Sequence, residues 1–584
     1  MRAGGSFLIE DQPASEVFTP EDLTEEHAAI RRAAREFVDK ELVPNIDAIV
    51  HGDRDLAVSL LRKAAALGFE GILTPERYGG MELDLASAMV VAEELARDGS
   101  FAAWHGAHAG IGTMPLLLFG TQTQKGKYLP RLSAAELVAA YCLSEPQAGS
   151  DALAAKTRAD LSSDGSHYIL NGQKAWITNG GRADFFTIFA KVNGEHFSAF
   201  LVERAFGGLS NGSEERKMGI KGSSTTAIFL DNVKVPIENL LGEIGRGHII
   251  AFNILNFGRL KLGPFAVGGA KNVLRDSIAY AKQRRAFGSV IADFGLIQHK
   301  LGEMAIRIFA AESMSYRVEG LIEAHLEGFS WGSPSDESAS ARRMMKAVEE
   351  FAAECSMIKV YASEVLDYVV DEGVQIHGGY GYHQDYAVER AYRDSRINRI
   401  FEGTNEINRL LITGMLLKRA QQGRLGLVKA AKGLMEEILA GPGLSPDSES
   451  VERRLIRNAK KIALLMLAVA FEKFGTEMEK QEEVLAGIAD VLMDAFAMES
   501  CLLRLEKTAR PEGQMADMCT VFLRDAMTRI EGFARPVLAA CSEGDGLRTN
   551  MTVLRRYAKF DPVDSIALRR RIASRLIEAG HYVV

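Results

Sequence analysis

Between residues 140 and 240 the period of the hydrophobic pattern changes, and this change constrains the fold of the 584-residue chain more than any other feature. On either side, apolar residues recur at helical spacing. Inside it they form short β-rich runs, HYIL, KAWIT, FFTIFAKV, FSAFLVE and TTAIFLDNVKVP, separated by Gly, Asn and Asp. A β domain must therefore sit between helical ones. The Asn171-Gly172 step between YIL and QKAWIT reads as a hairpin turn. The pattern divides the chain into an N-terminal arm (1–24), a helical domain (25–138), a middle β domain (139–248), a helical bundle (249–420) and a C-terminal helical extension (421–584). In the first helical block Thr19 reads as a cap, Pro20 as first turn and Pro44 as the stop. GFSWGSPSDES (328–338) reads as a loop between long helices, and GPGLSPDSES (441–450) as a second break.

At 47% hydrophobic and 25% charged, the chain has material for several packed cores. A net charge of -8 and a pI near 5.9 give no basic field to gather phosphate backbones, which sets nucleic-acid binding aside. Cys142, Cys355, Cys501, Cys519 and Cys541 are scattered and odd in number, which suggests neither a disulfide framework nor a metal site and fits a reducing compartment. The N-terminal stretch has neither the apolar core of a secretory signal nor an Arg-rich transit character, and no apolar run nears the roughly 20 residues of a membrane span. Any membrane contact is expected to be peripheral.

Five stretches hold more Gly, hydroxyl and aromatic residues, or more charge, than packing requires. In YCLSEPQAGSD (141–151) main-chain amides and the hydroxyls of Ser144 and Ser150 can bind a polar ligand, or simply shape a loop. In GQKAWITNGG (172–181) Trp176 can stack on a planar ring and Thr178 donate to it; a core aromatic at a strand end reads the same way. The arginine pair of QRRAFG (283–288) suits a pyrophosphate or a solvated helix end. The glycines of QIHGGYGY (375–382) permit close ligand approach or end a helix. No segment matches GxGxxG or a P-loop.

The fifth stretch is RIFEGTNEIN (399–408). Arg390, Arg393, Arg396 and Arg399 precede it at three-residue spacing, with Glu389 placed to pair with Arg393. Gly403 breaks the pattern, Thr404 can cap, and Ile407, Leu410, Leu411 and Met415 trace the next buried stripe. Glu402 thus lies in an interhelical joint, as a working base or as an ordinary acidic residue at a helix start.

Together, in this order and spacing, the five stretches resemble the acyl-CoA dehydrogenase family over about residues 20–420. The resemblance implies a multidomain α+β fold, two helical domains flanking a β-barrel, with FAD at their junction and a further C-terminal helical domain. It implies flavin contacts from Tyr141, Cys142, Leu143, Ser144, Gly149, Ser150, Trp176, Ile177 and Thr178, and from Thr404, Asn405 and Glu406. Arg284, Phe287, Gln375, Gly378 and Gly379 match residues that reach the FAD of a neighbouring subunit, which implies a homodimer. Glu402 becomes the base that takes the α-proton of an acyl-CoA while the β-hydride passes to flavin, yielding a trans-2-enoyl-CoA. Isovaleryl-type relatives carry their base where this chain has Gly258, which cannot act. Asn256 and Arg259 are expected to hold the CoA part, and Ser150, Phe401 and Gly403 to line the substrate site. Burial would raise the Glu402 pKa from about 4.3, while arginines and the helix dipole lower it, leaving the net sign open.

Two further features resemble the very-long-chain subfamily. One is the extension beyond 420. The other is segment 104–132, whose Gly106, Ala107, Ala109 and Gly110 leave room for a long acyl tunnel or mark close helix packing. Segment 424–440 sets Leu427, Val428, Ala431, Leu434, Met435 and Ile438 on one face, with Lys429 and Lys432 on another; it reads as a peripheral membrane helix by resemblance, or as a core or interface helix. The expected electron acceptor is an electron-transfer flavoprotein, within fatty-acid β-oxidation. An acyl-CoA oxidase and a respiratory-complex assembly factor are the alternatives. The expected compartment is the cytoplasm in a bacterium, or the mitochondrial matrix or inner-membrane face in a eukaryote.

Overall fold

A computed structural model describes residues 2–440, 449–508 and 512–584, so most of the expected break at 441–450 lies outside the described residues. The first helix is Glu25–Phe37, and its N-cap is Thr24, whose hydroxyl accepts the His27 N–H at 3.3 Å. Thr19 instead caps the short turn Pro20–Asp22. Pro44 does not stop the chain's winding: it enters the tight turn Val43–Asn45 after a wide π-turn at Val38–Leu42, and helix Ile46–Val50 follows. A proline at the start of a short turn sacrifices no needed N–H, which is why it bends the path rather than ending it. The helices Arg54–Ala66, Leu85–Leu95, Gly99–His105 and Gln122–Ser133 complete the first helical block.

The middle domain is one eight-stranded sheet: β1 (Ala139–Cys142), β2 (Arg158–Leu161), β3 (His167–Thr178), β4 (Phe185–Val192), β5 (His196–Glu203), β6 (Leu209–Asn211), β7 (Thr225–Pro236) and β8 (Leu240–Leu241). Spatial order is β6-β7-β3-β2-β4-β5-β8, with β1 parallel to β4, and the sheet wraps a core of its own that includes Leu170, Phe186, Ile188 and Phe200. The Asn171-Gly172 hairpin is not formed. Those residues lie inside β3, where the register against β7 shifts between Leu170 and Gly172. Gly172, at a φ of 151°, passes so close to Thr157 that a Cβ there would sit 2.6 Å from its Oγ1. The glycine answers a close approach and a bulge, not a turn.

Long helices Gly247–Gln283, Gly295–His325, Ala352–His377 and Asn405–Gln421 form the next layer, with residues 326–336 as the expected connection before helix Glu337–Glu350. The extension supplies Leu427–Ala440, Val451–Phe474, Glu482–Lys507, Gln514–Cys541, Gly544–Tyr557 and Ser565–Ala579. Its apolar residues join the same core as both helical blocks, and the N-terminal arm folds back onto it, Phe7 meeting Phe496 edge-on at 4.9 Å. Helix Leu427–Ala440 divides the face expected to be continuous: Leu427 and Leu434 are buried, whereas Val428, Met435 and Leu439 are exposed beside Lys429 and Lys432.

Charge ties these layers as firmly as apolar contact does. Arg504 of the extension, 1% exposed, meets Glu312 at 2.7 Å and Glu21 of the arm at 2.6 Å. Lys271 pairs with the same Glu312 and with Glu93 of the first helical block. Burial alone would raise the Glu312 carboxyl, but Lys271 and Arg504 outweigh it and hold the group below the usual carboxylate range. Breaking such a buried set strands a charge, at roughly 3–5 kcal/mol. Arg504→Ala is therefore expected to lower the thermal midpoint clearly and to speed proteolysis of residues 449–584; an unchanged midpoint and digestion pattern would show the network to be dispensable.

Candidate active site

The joint around Glu402 is built by an unusual backbone. Helix Ala387–Ser395 runs into the tight turn Arg396–Arg399, and helix Asn405–Gln421 restarts with Thr404 as its cap, its hydroxyl accepting the Ile407 N–H at 3.3 Å. Between them Glu402 (φ 58°) and Gly403 (φ 80°) are both left-handed. For a non-glycine this conformation is disfavoured and needs support from its surroundings. Three side chains provide it. Arg259 Nε donates to the Glu402 carbonyl at 3.1 Å, Lys359 Nζ to the Gly403 carbonyl at 2.7 Å, and Asn408 Nδ2 to both carbonyls at 3.3 and 2.8 Å.

This turn aims the Glu402 carboxylate at the Gly247–Gln283 helix. A Cβ at Gly258 would lie 2.7 Å from its Oε2, so the bare glycine is what leaves room for it. Oε2 is sealed from solvent and has no hydrogen-bond partner among the described residues. Burial pushes the Glu402 pKa up to about 7, with Arg259 and then Lys359 pulling against it. The sign left open by the sequence is thus decided by desolvation. Buried Tyr141 lies near enough for the Glu402 charge to raise its phenol further, after burial itself.

Glu402, Phe401 and Gly258 line a cavity of about 600 Å³ that also reaches Thr178 of β3. One face of the Gly247–Gln283 helix forms a long wall: Gly258, Leu262, Phe265, Gly269, Val273 and Asp276. These positions follow the helical repeat over roughly 27 Å of axis. Ala103, Gly106, Ala107 and Gly110 also line the cavity, Gly106–Gly112 forming a wide π-turn. Ala109 is not among the lining residues. A methyl group on Gly110 would meet no other atom within 4 Å.

Beside this cavity two of the expected flavin segments converge. The Ser144 carbonyl accepts the Ala175 N–H at 3.0 Å, tying the end of β1 to β3 next to Trp176. Trp176 is 64% exposed with a φ of 60°, an aromatic held in a strained backbone with its ring uncovered. That is the surface a planar cofactor ring would cover, and with Thr178 in the cavity wall the residues fit a flavin. The side chains of Cys142 and Ile177 belong to the sheet's core, which leaves their main chain to face a ligand. Leu143 is buried, while Gly149 and Ser150 lie on an exposed loop outside the cavity lining. The fully buried Lys174 anchors that loop by pairing with Glu145 at 2.7 Å.

The remaining expected residues fall into two groups. Arg284 and Phe287 belong to a small hairpin, β9 (Arg285–Ala286) and β10 (Ser289–Val290); Gln375, Gly378 and Gly379 lie where helix Ala352–His377 ends, and the Arg284 guanidinium sits 5.6 Å from the Tyr380 ring. None of them lines the cavity, and Phe287 is 98% exposed at a φ of 51°. The second group faces inward. Asn405 is spent on Lys359, Ser363 and Glu364, Thr404 on its cap, and only Glu406 is exposed. Arg259 is 6% exposed, bonded to Asn256 at 3.1 Å and to the Glu402 main chain, and neither Arg259 nor Asn256 lines the cavity. Both side chains are thus tied to the Glu402 turn, and of the five guanidinium N–H donors of Arg259 these two bonds leave others uncommitted. Lys359 was missed; its only sequence signal is a lysine inside the apolar run SMIKVYA.

Family models for acyl-CoA dehydrogenase match the N-terminal domain at 24–136, the middle domain at 140–233, and C-terminal domains at 245–330 with 337–417 and at 458–556. A probable acyl-CoA dehydrogenase of Bacillus subtilis is 46% identical, covering 100% of this chain and 99% of the relative. The human very long-chain specific acyl-CoA dehydrogenase is 37% identical over 80% of this chain and 73% of its own. The crystal structure of an acyl-CoA dehydrogenase complexed with FAD from Bacillus anthracis superposes with a TM-score of 0.97 at 47% identity, covering 100% of both chains. Every domain is matched and the likeness runs from end to end: the chain belongs to the acyl-CoA dehydrogenase family, whose FAD-dependent oxidoreductase chemistry it shares.

Proposed function

We propose that this chain oxidises long-chain acyl-CoA to trans-2-enoyl-CoA in fatty-acid β-oxidation and passes the electrons to an electron-transfer flavoprotein. The observation that carries the reading is the unpartnered Glu402 carboxylate, facing Gly258 in the wall of a deep cavity. An α-C–H is a poor acid, so a carboxylate at about 4.3 would be a feeble base. At about 7, Glu402 is a stronger base yet stays substantially ionised near neutrality. Its own N–H has no hydrogen-bond acceptor among the described residues and is free for the thioester carbonyl, where charge develops as the proton leaves. FAD, when bound, accepts the hydride equivalent from the β-carbon. Arg259, Lys359 and Asn408 keep the base in register, Phe401 lines the cavity beside it, and Trp176 and Thr178 would orient the cofactor.

The roughly 27 Å wall with small residues around it supports a long acyl chain. Exposed Phe287 and the adjacent glycine turn support a homodimer in which each copy completes its neighbour's cofactor site. Exposed Val428, Met435 and Leu439 beside Lys429 and Lys432 support peripheral contact with a membrane surface.

Glu402→Gln is expected to keep its yellow cofactor and bind acyl-CoA while flavin bleaching slows by roughly 10²–10⁴-fold. Normal bleaching would remove Glu402 as the base. Because only the ionised carboxylate accepts a proton, kcat/KM in the wild type should rise with pH through a midpoint near 7, with electron-transfer flavoprotein as acceptor. Gly110→Leu should depress turnover of palmitoyl-CoA well below that of octanoyl-CoA; equal losses on both would argue against the tunnel. Placing Asp at Val428, Met435 and Leu439 together should abolish co-sedimentation with anionic vesicles, and retained binding would defeat the membrane reading.

A further inference from the structure

Among the charged side chains that line the cavity, Lys261 is one that the proposed chemistry leaves idle. Lys261 lies on the Gly247–Gln283 helix, about 4.5 Å of axial rise beyond Gly258. It lines the cavity at 7% exposure. Among the described residues its ammonium has no hydrogen-bond or ion-pair partner, and it is not sealed from the cavity. Near enough to act on it is Glu70, 2% exposed, whose Oε1 accepts a hydrogen bond from His105 Nδ1 at 2.9 Å and whose Oε2 has no partner among the described residues. Burial pushes Lys261 down to about 8, and Glu70 works to keep it charged. Near neutrality it therefore presents mainly N–H donors to a channel walled nearby by Leu262, Phe265 and Gly106.

Two duller roles do not fit. Lys261 does not tune the base, since the cations acting on Glu402 are Arg259 and Lys359. Nor does it tether two elements, because its ammonium holds no partner. A saturated chain threading past would strip water from that ammonium and return nothing, an uncompensated loss. An oxygen on the chain would replace the water.

We propose that Lys261 sets specificity for acyl chains carrying an oxygen acceptor, a hydroxyl, oxo or carboxyl group, in the stretch beyond the reacting carbons. The proposal rests on the dehydrogenase reading above. The test uses the full-length FAD-loaded enzyme and three long-chain acyl-CoAs of equal length: unsubstituted, hydroxylated within the chain, and ending in a carboxylate. The readout is kcat/KM for each oxygenated substrate divided by that for the plain one. Lys261→Met should lower this ratio roughly tenfold, the effect of one charge-assisted hydrogen bond, while Lys261→Arg retains it. Lys261→Gln, closer in polarity, supplies the same comparison if the Met variant folds poorly. A fall for the hydroxyl alone assigns a neutral acceptor, and a fall for the carboxylate alone an anionic one. Ratios within about twofold of wild type for both substrates overturn the proposal. If the wild type turns over plain acyl-CoA while the ratios stay fixed, only the role of Lys261 is lost. If no acyl-CoA bleaches the flavin, the dehydrogenase reading falls and takes this one with it.

Discussion

Glu312, held between Lys271 and Arg504, is the contact on which the assembly of this molecule turns. Through it the N-terminal arm, the first helical block, the central helices and the extension share one buried charge set, closed further by Glu21, Glu93 and the Tyr582 hydroxyl at 3.1 Å. Apolar packing would hold the layers together but would not fix how they slide along each other; paired charges of this depth add direction. That matters because Lys271 belongs to the helix whose other face walls the cavity. The extension is thereby a brace on the cavity wall.

Facing the same helix, the Glu402 joint maintains two unfavourable states at once. A carboxylate is buried without a partner, and the residue carrying it is left-handed. The supporting groups act on the main chain, not on the carboxylate. Arg259 and Lys359 bond carbonyl oxygens of the turn, so they restrain its position while leaving both carboxylate oxygens free to react. Direct ion pairing would have stabilised the joint better and left a weaker base.

Much of the domain order was legible because the change of hydrophobic period is a long-range property averaged over many residues. Single-residue signals did worse where tertiary contact overrode local preference. Asn171-Gly172 has turn chemistry, yet the approach of Thr157 uses the glycine inside a strand. Pro44 has stop chemistry, yet it falls where a short turn needs no N–H. Arg259 stands out in sequence only as a charge, and its bond to the Glu402 carbonyl appears only in the folded chain. The face of helix 427–440 was read as one stripe, and packing divided it in two. At the site, the local sequence could not separate Glu402 from an ordinary helix-start acid, since its distinguishing marks are a left-handed φ and an empty space opposite. Lys359 and Lys261 were silent for a related reason: a lysine in an apolar helix shows its meaning only when one knows what it faces.

The empty space opposite Glu402 makes positions 258 and 402 a single volume written twice in the sequence. A Cβ at 258 would lie 2.7 Å from the carboxylate, so bulk at 258 has to be met by a shift of the Glu402 side chain. Substitutions at the two positions are therefore coupled: the side chain placed at 258 decides where the Glu402 carboxylate can point.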